Sequence, residues 1–288
     1  MRSLSKDALH SLQSRWEGYL DDHPDHQSEW GDQLFSVSDV LGKNRAFSRS
    51  LTDAARTADD RVQLLRSVFD GKVSGEVLDL LSGVVRGSWA DSDLSVVIES
   101  LGVTSILVSA QHNRVLQQVE AELGFASRLI NRSPRLQLEL SDPTVSNSAR
   151  RALINAVFER LNALTKTLVE RAARSGSTQL ISHWIRAAID EAARIGGHLV
   201  ATVAAGTLPS DDQIRRLEEI LGHRYGKPVI AHVHLEPELV GGLRVAIGDD
   251  VIDGSILARI RQARASLAHP AERGDNQVEN GGIRRMEE

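Results

Sequence analysis

The chain has 288 residues and a formal net charge of −5; 41 % of its residues are hydrophobic, 25 % charged and 4 % aromatic, and none is cysteine. That length calls for two or three modules, and an aliphatic, aromatic-poor composition favours helix-on-helix packing over a β-sandwich. The absence of cysteine excludes disulfides, thiolate metal sites and cysteine nucleophiles and fits a cytosolic compartment, and the negative balance argues against a nucleic-acid partner gripped through its phosphates.

In chain order, Ser5 can cap a first helix whose Leu9, Leu12, Trp16, Tyr19 and Leu20 share one face, and His23-Pro24-Asp25-His26 breaks it. A second helix carries Trp30, Leu34, Val37, Val40 and Leu41, and Gly42-Lys43-Asn44 ends it. Asp59 or Asp60 opens a third with Val62, Leu65 and Phe69 inward; Ser74 opens a fourth with Val77, Leu80, Leu81 and Val84. Ser92 or Asp93 starts a longer periodic stretch through Leu94, Val97, Leu101, Val108, Val115 and Val119. No uninterrupted apolar run approaches the roughly 18 residues of a membrane span, and the N-terminus leads into a mixed polar helix instead of a signal core. Membrane association is therefore expected only through a partner.

A repeat runs through this helical region. At an offset of 89 residues Leu51, Asp53, Arg61, Leu64, Val68 and Phe69 meet identical residues at Leu140, Asp142, Arg150, Leu153, Val157 and Phe158. After a small change of offset Leu80-Leu81 meets Leu168-Val169, Arg86 meets Arg174, and Leu94 and Ile98 meet Leu180 and Trp184. A shared helical period explains apolar matches, but packing does not require identity at Asp53/Asp142 and Arg61/Arg150, so a duplicated bundle segment is the reading adopted.

From His198 the period changes. Leu199–Ala204 reads as a strand, Pro209–Asp212 starts a helix bearing Ile214, Leu217 and Leu221, and Val229–Leu235 and Leu243–Ile247 alternate as half-buried strands. Asp253 can cap a last helix with Ile256, Ile260, Ala263 and Leu267 inward, and beyond His269-Pro270 the chain turns polar and glycine-rich. The expected organisation is mainly α: a helical bundle over 1–105, a second helical repeat over 106–197, a small βαββα module over 198–268 and a disordered tail over 269–288.

Candidate chemistry is sparse. No phosphate-cradling glycine-lysine loop exists, and Gly241, Gly242 and Gly248 precede a strand where a dinucleotide loop would precede a helix; a bulge and a turn explain them better. His232 and His234 share a strand face without an evident third metal ligand. Asp249-Asp250 reads as a turn, and Ser255 after Gly254 lacks the full nucleophile-elbow pattern. No catalytic, metal or cofactor residue is assigned.

The run Leu239-Val240-Gly241-Gly242-Leu243-Arg244-Val245-Ala246-Ile247-Gly248-Asp249-Asp250-Val251-Ile252-Asp253-Gly254-Ser255 resembles the C-terminal signature of the delta subunit of F-type ATP synthases, the family of the oligomycin-sensitivity-conferring protein. The match rests on Gly241, Gly242, Gly248, Asp253, Gly254 and Ser255; Trp30-Gly31-Asp32-Gln33-Leu34 resembles the family's second helix more loosely. A duplicated bundle ahead of that module resembles the enlarged actinobacterial type, some of which are fused to a b-type stalk segment. The resemblance implies a non-catalytic peripheral-stalk subunit without cofactor, at the cytoplasmic face of the plasma membrane. It further implies that the N-terminal bundle grips the N-terminal helices of alpha subunits and that the C-terminal module holds the b-type stalk. Trp16, Leu20, Trp30, Leu94 and Val97 are the expected partner-binding residues. A helical interaction adaptor unrelated to the synthase is the competing reading, but it has no reason to carry the signature.

Overall fold

The computed structural model describes residues 3–142, 144–174, 178–236, 239, 241–248 and 250–254. Among these the chain forms twelve helices and four strands. It divides into two compact units, residues 1–200 with 218–230, and residues 201–217 with the chain from 231 onward.

Eleven helices precede the first strand: α1 Ser3–Asp21, α2 Gln27–Lys43, α3 Arg45–Thr52, α4 Ala58–Phe69, α5 Gly75–Arg86, α6 Asp91–His112, α7 Leu116–Arg132, α8 Pro134–Ser141, α9 Asn147–Val157, α10 Ala163–Ala173 and α11 Thr178–Ile195. Local chemistry sets their ends. Thr57 caps α4 through a reciprocal box, its Oγ1 accepting from the Asp60 amide at 3.1 Å while Asp60 Oδ2 accepts from the Thr57 amide at 3.3 Å. The helix expected to open at Asp59 or Asp60 thus opens earlier, with Asp60 in its first turn. Ser74 caps α5 as expected, its Oγ accepting from the Val77 amide at 3.3 Å. The long periodic stretch that ran from Leu94 to Val119 is two helices: Arg114, at φ 59°, turns the chain between α6 and α7. Periodicity could not see this break, because both helices feed apolar cores.

The repeat is visible element by element. A shift of 89 residues carries α2 onto α7 and α3 onto α8 end to end. Asp53 and Asp142 make the same turn, each Oδ1 accepting from the amide two residues on, at 2.9 and 2.8 Å. Arg61 and Arg150 are both buried, and so are Phe69 and Phe158.

These helices build two apolar cores. One gathers Trp16, Leu20, Trp30, Leu34, Leu65, Phe69 and Leu81; the other gathers Leu123, Ile130, Phe158, Leu168 and Ile185. Helix α6 belongs to both. Its Leu94, Val97, Ile98, Leu101 and Val108 enter the first core, while Val103, Ile106, Leu107 and Ala110 enter the second. All ten residues from Leu101 to Ala110 are buried. By length and composition α6 is apolar enough to cross a membrane, yet 72 % of that window is buried inside the protein. A helix clad on every side needs no polar face. The boundary expected between residues 105 and 106 falls inside this continuous helix.

The C-terminal elements are β1 Leu199–Ala205, α12 Asp211–Tyr225, β2 Val229–Leu235, β3 Leu243–Ile247 and β4 Asp250–Asp253, in the sheet order β2-β1-β3-β4. β1 and β2 run parallel: the Leu199 amide donates to Pro228 O at 2.8 Å and the Glu236 amide to Ala205 O at 2.9 Å. Helix α12 makes the crossover that parallel strands require. β3 is antiparallel to both β1 and β4, with Val203 opposite Val245 and Ile252 opposite Val245. The fourth strand corrects the expected order. Val251-Ile252 and Asp253 were read as the approach to a capped helix, but they pair with β3 after a turn at Gly248, which has φ 56°. Two β-branched residues after a tight turn favour a hairpin return. The expected last helix with Ile256, Ile260, Ala263 and Leu267, the residue Ser255 and the 269–288 tail lie outside the described residues.

Candidate functional site

The first helical repeat carries an open groove of ≈ 550 Å³ between α1 and α5. Leu12, Trp16 and Tyr19 form its α1 wall, and Leu80 with Gly75 and Gly83 its α5 wall. A Cβ at Gly75 or Gly83 would meet nothing within 4 Å, so the α5 side is smooth and accessible to a helix backbone. Arg15, Glu76 and Asp79 place both signs of charge at the rim.

The α1 wall is a rigid aromatic stack. Trp16 lies 5.5 Å from Tyr19 and 5.5 Å from Trp30, and Tyr19 lies 4.4 Å from the His23 ring, measured between ring centroids. Such stacking adds to the stabilisation from burial and removes side-chain freedom before any partner arrives. The Trp16 indole N–H donates to Ser105 Oγ of α6 at 2.8 Å, which satisfies the one polar group of the ring. Tyr19 is 38 % exposed. An apolar, pre-ordered trough between two helices is suited to the apolar stripe of a third.

All five residues expected to bind a partner, Trp16, Leu20, Trp30, Leu94 and Val97, are buried by this chain's own helices. Only Trp16 among them also lines the groove. Large apolar residues at helical spacing serve the core first. The groove's other walls, Tyr19, Leu80 and Gly83, carried a weaker signal, although a glycine in mid-helix is such a flag for close approach by another backbone.

The signature residues of the second unit shape its backbone. Gly241 and Gly242 have φ of 70° and 83°, a region that an L side chain enters only with strain. They turn the chain into β3. Asp253 closes β4 opposite Arg244. The Arg244 guanidinium reaches Glu236 at 3.3 Å and Asp253 at 3.9 Å, so one cation ties the loop end to the hairpin. The Gly254 amide donates to Leu243 O at 2.9 Å. Asp249, where a turn was expected, lies outside the described residues. Among the described residues no three His, Asp or Glu side chains are grouped to hold a metal ion.

Where the two repeats meet within the first unit, charge replaces openness. Arg171 of α10 is buried, donating from Nε to Glu99 Oε1 at 2.5 Å and from Nη2 to Ser38 Oγ at 3.3 Å, and it pairs with Asp39. Its guanidinium lies 5.1 Å from the centroid of the Phe35 ring. A neighbouring cavity of ≈ 470 Å³ is lined by Asp32 and Phe35 of α2 and by Arg151, Glu170, Arg171 and Arg174. Burial raises the Asp32 carboxyl above its ordinary value, Arg151 and Arg174 pull it down, and Glu170 pushes it up.

The family described as ATP synthase delta (OSCP) subunit matches residues 103–267, a span that begins inside α6. The chain is similar to ATP synthase subunit delta of Beutenbergia cavernae, 34 % identical over 93 % of this chain and 100 % of the relative. It is also similar to ATP synthase subunit delta of Streptomyces avermitilis, 31 % identical over 92 % of this chain and 97 % of that one. ATP synthase subunit b-delta of a Mycobacterium species is 30 % identical over 93 % of this chain, which spans 61 % of that longer protein.

Proposed function

The chain belongs to the ATP synthase delta (OSCP) subunit family, and on that premise we propose how its two units divide the work of a peripheral-stalk subunit. It is a component of a membrane-associated ATP synthase. In our reading it is a non-catalytic tether at the cytoplasmic face of the plasma membrane. It joins the catalytic head to the b-type stalk, and rotary torque inside the head is resisted so that proton flow can drive ATP formation.

The observation that carries this reading is the open α1–α5 groove, apolar in its walls and stiffened by the Trp16–Tyr19 stack. A stator must grip without moving parts, and a pre-ordered groove loses little freedom when an amphipathic helix enters. We assign the groove to the N-terminal helix of an alpha subunit, with Leu12, Trp16, Tyr19 and Leu80 as its apolar anchors. The C-terminal unit, held by the Gly241-Gly242 bend and the Arg244 ties, is assigned to the b-type stalk.

Pull-down from separately expressed alpha and b-type subunits of the same synthase tests the division. The residue 1–288 chain is expected to retain both. Replacing Leu80 by Arg is expected to release alpha while b remains. Loss of both together, or of neither, would overturn the assignment of the groove.

A further inference from the structure

We propose that this duplicated chain offers one helix-docking groove, not two, because Phe35 of its own α2 and Arg171 of α10 close the groove of the second repeat. The inference rests on the assignment of the α1–α5 groove to an alpha-subunit helix.

The repeat offset locates the second groove. α1 matches α6 nearly end to end in sequence, with Leu12, Gln13 and Trp16 meeting Leu101, Gly102 and Ser105 at an offset of 89. α5 matches α10 at an offset of 88, with Leu80 and Gly83 meeting Leu168 and Arg171. The second groove should therefore run between α6 and α10. It belongs to the repeat that continues into the C-terminal module and that the family match covers.

That place is taken. Phe35 of α2 lies against Gly102, where an added Cβ would come within 2.7 Å of the ring. Arg171 also lies over the same ring and donates to Phe35 O at 3.4 Å. Gly31, one turn earlier on α2, crosses α6 so closely that a Cβ there would come within 2.8 Å of Ile106. Phe35 of α2 thus wedges between Gly102 of α6 and Arg171 of α10, two helices that also pack on each other directly. Where the first repeat has the open Gly83, the second has Arg171 anchored to Asp39 and Glu99 of neighbouring helices. Helix α2 is covalently part of the chain, so an incoming helix would have to displace a core element. The ion pairs on Arg171 would be broken with their charges still largely out of water.

The test is isothermal titration of the full chain with a synthetic peptide copying the N-terminal helix of the alpha subunit. The wild type is expected to bind one peptide per chain. Gly83→Arg, which copies Arg171 onto the exposed α5 surface where a side chain has room, is expected to weaken binding at least about tenfold by placing a cation in the apolar groove, with an unchanged circular dichroism spectrum. Two peptides per chain would overturn the single-groove inference and leave the assignment of the α1–α5 groove standing, whereas undiminished binding of one peptide by Gly83→Arg would put the peptide outside that groove and overturn both. No binding by the wild type would overturn that assignment itself.

Discussion

Trp16 and Ser105 stand at the same position in the two repeats, 89 residues apart, and they touch: the indole N–H of one donates to the hydroxyl of the other at 2.8 Å. The equivalent helices α1 and α6 therefore pack on each other, so the duplication has produced two bundles sharing one helix. The swap of tryptophan for serine at equivalent positions follows. In α1 the large ring fills a core and lines a groove; in α6 a small hydroxyl receives that ring.

Removing the hydroxyl isolates this contact. Ser105→Ala leaves the buried indole N–H unsatisfied and is expected to cost about 1 to 3 kcal/mol. Chemical denaturation would check it. A change within about 0.5 kcal/mol would mean that the indole finds another acceptor.

Phe69 and Phe158, an identical pair across the repeat, are both buried, one in each core. Truncating either to Ala is expected to cost roughly 3 to 5 kcal/mol, because the cavity left cannot fully collapse. Thermal unfolding of both variants reads this directly. A small effect at only one site would show that the two cores are not equivalent.

Arg171→Lys should not rescue what Arg171→Ala loses. Lysine keeps the charge but cannot reach Glu99, Asp39 and Ser38 at once with a single ammonium. The alanine variant is expected to lose about 2 to 4 kcal/mol, and lysine to recover less than half. Denaturant midpoints at matched slope decide between shape and charge.

Gly242→Val is expected to disturb β3 and β4, since valine at a φ of 83° is strained by roughly 1 to 3 kcal/mol. Binding of the b-type stalk should fall while the alpha-derived peptide still binds. Paired pull-downs would measure both, and unchanged stalk capture would reduce the glycines to a packing detail.

Acid should relieve a strain at Asp32. Its carboxyl is raised chiefly by burial, so the folded protein holds that proton more tightly than the unfolded chain. Stability from this group therefore falls as pH rises from the ordinary carboxylate value through the raised one. Asp32→Asn is expected to melt no lower than the wild type at about pH 7, and the advantage should vanish near pH 3, where both side chains are neutral. Melting curves at the two pH values test the sign.

Several of these features were legible before any fold was known. The periodicity of Leu34, Leu65 and Leu81 marks helices because one face of each must leave water. The identities Asp53/Asp142 and Arg61/Arg150 expose the repeat because polar residues at fixed offset answer to a particular turn and a particular buried site. Gly241-Gly242 announces its backbone because only glycine enters a positive φ freely. The break at Arg114 and the strand through Val251-Ile252 were not legible. Local pattern is the same whether a buried segment continues as a helix or turns to pair.

The sequence alone determined which residues avoid water, where the chain duplicates itself and which signature closes it. Only the tertiary structure decided which apolar side chains stay exposed. Trp16, Leu20, Trp30, Leu94 and Val97 are large and apolar, and burial within the chain claims such side chains as readily as a partner would. The same holds for the second groove, whose emptiness or occupancy depends on α2 crossing α6 at Gly31 and Gly102. Packing between distant segments sets that, because the free energy of burying an apolar face does not depend on which apolar face covers it.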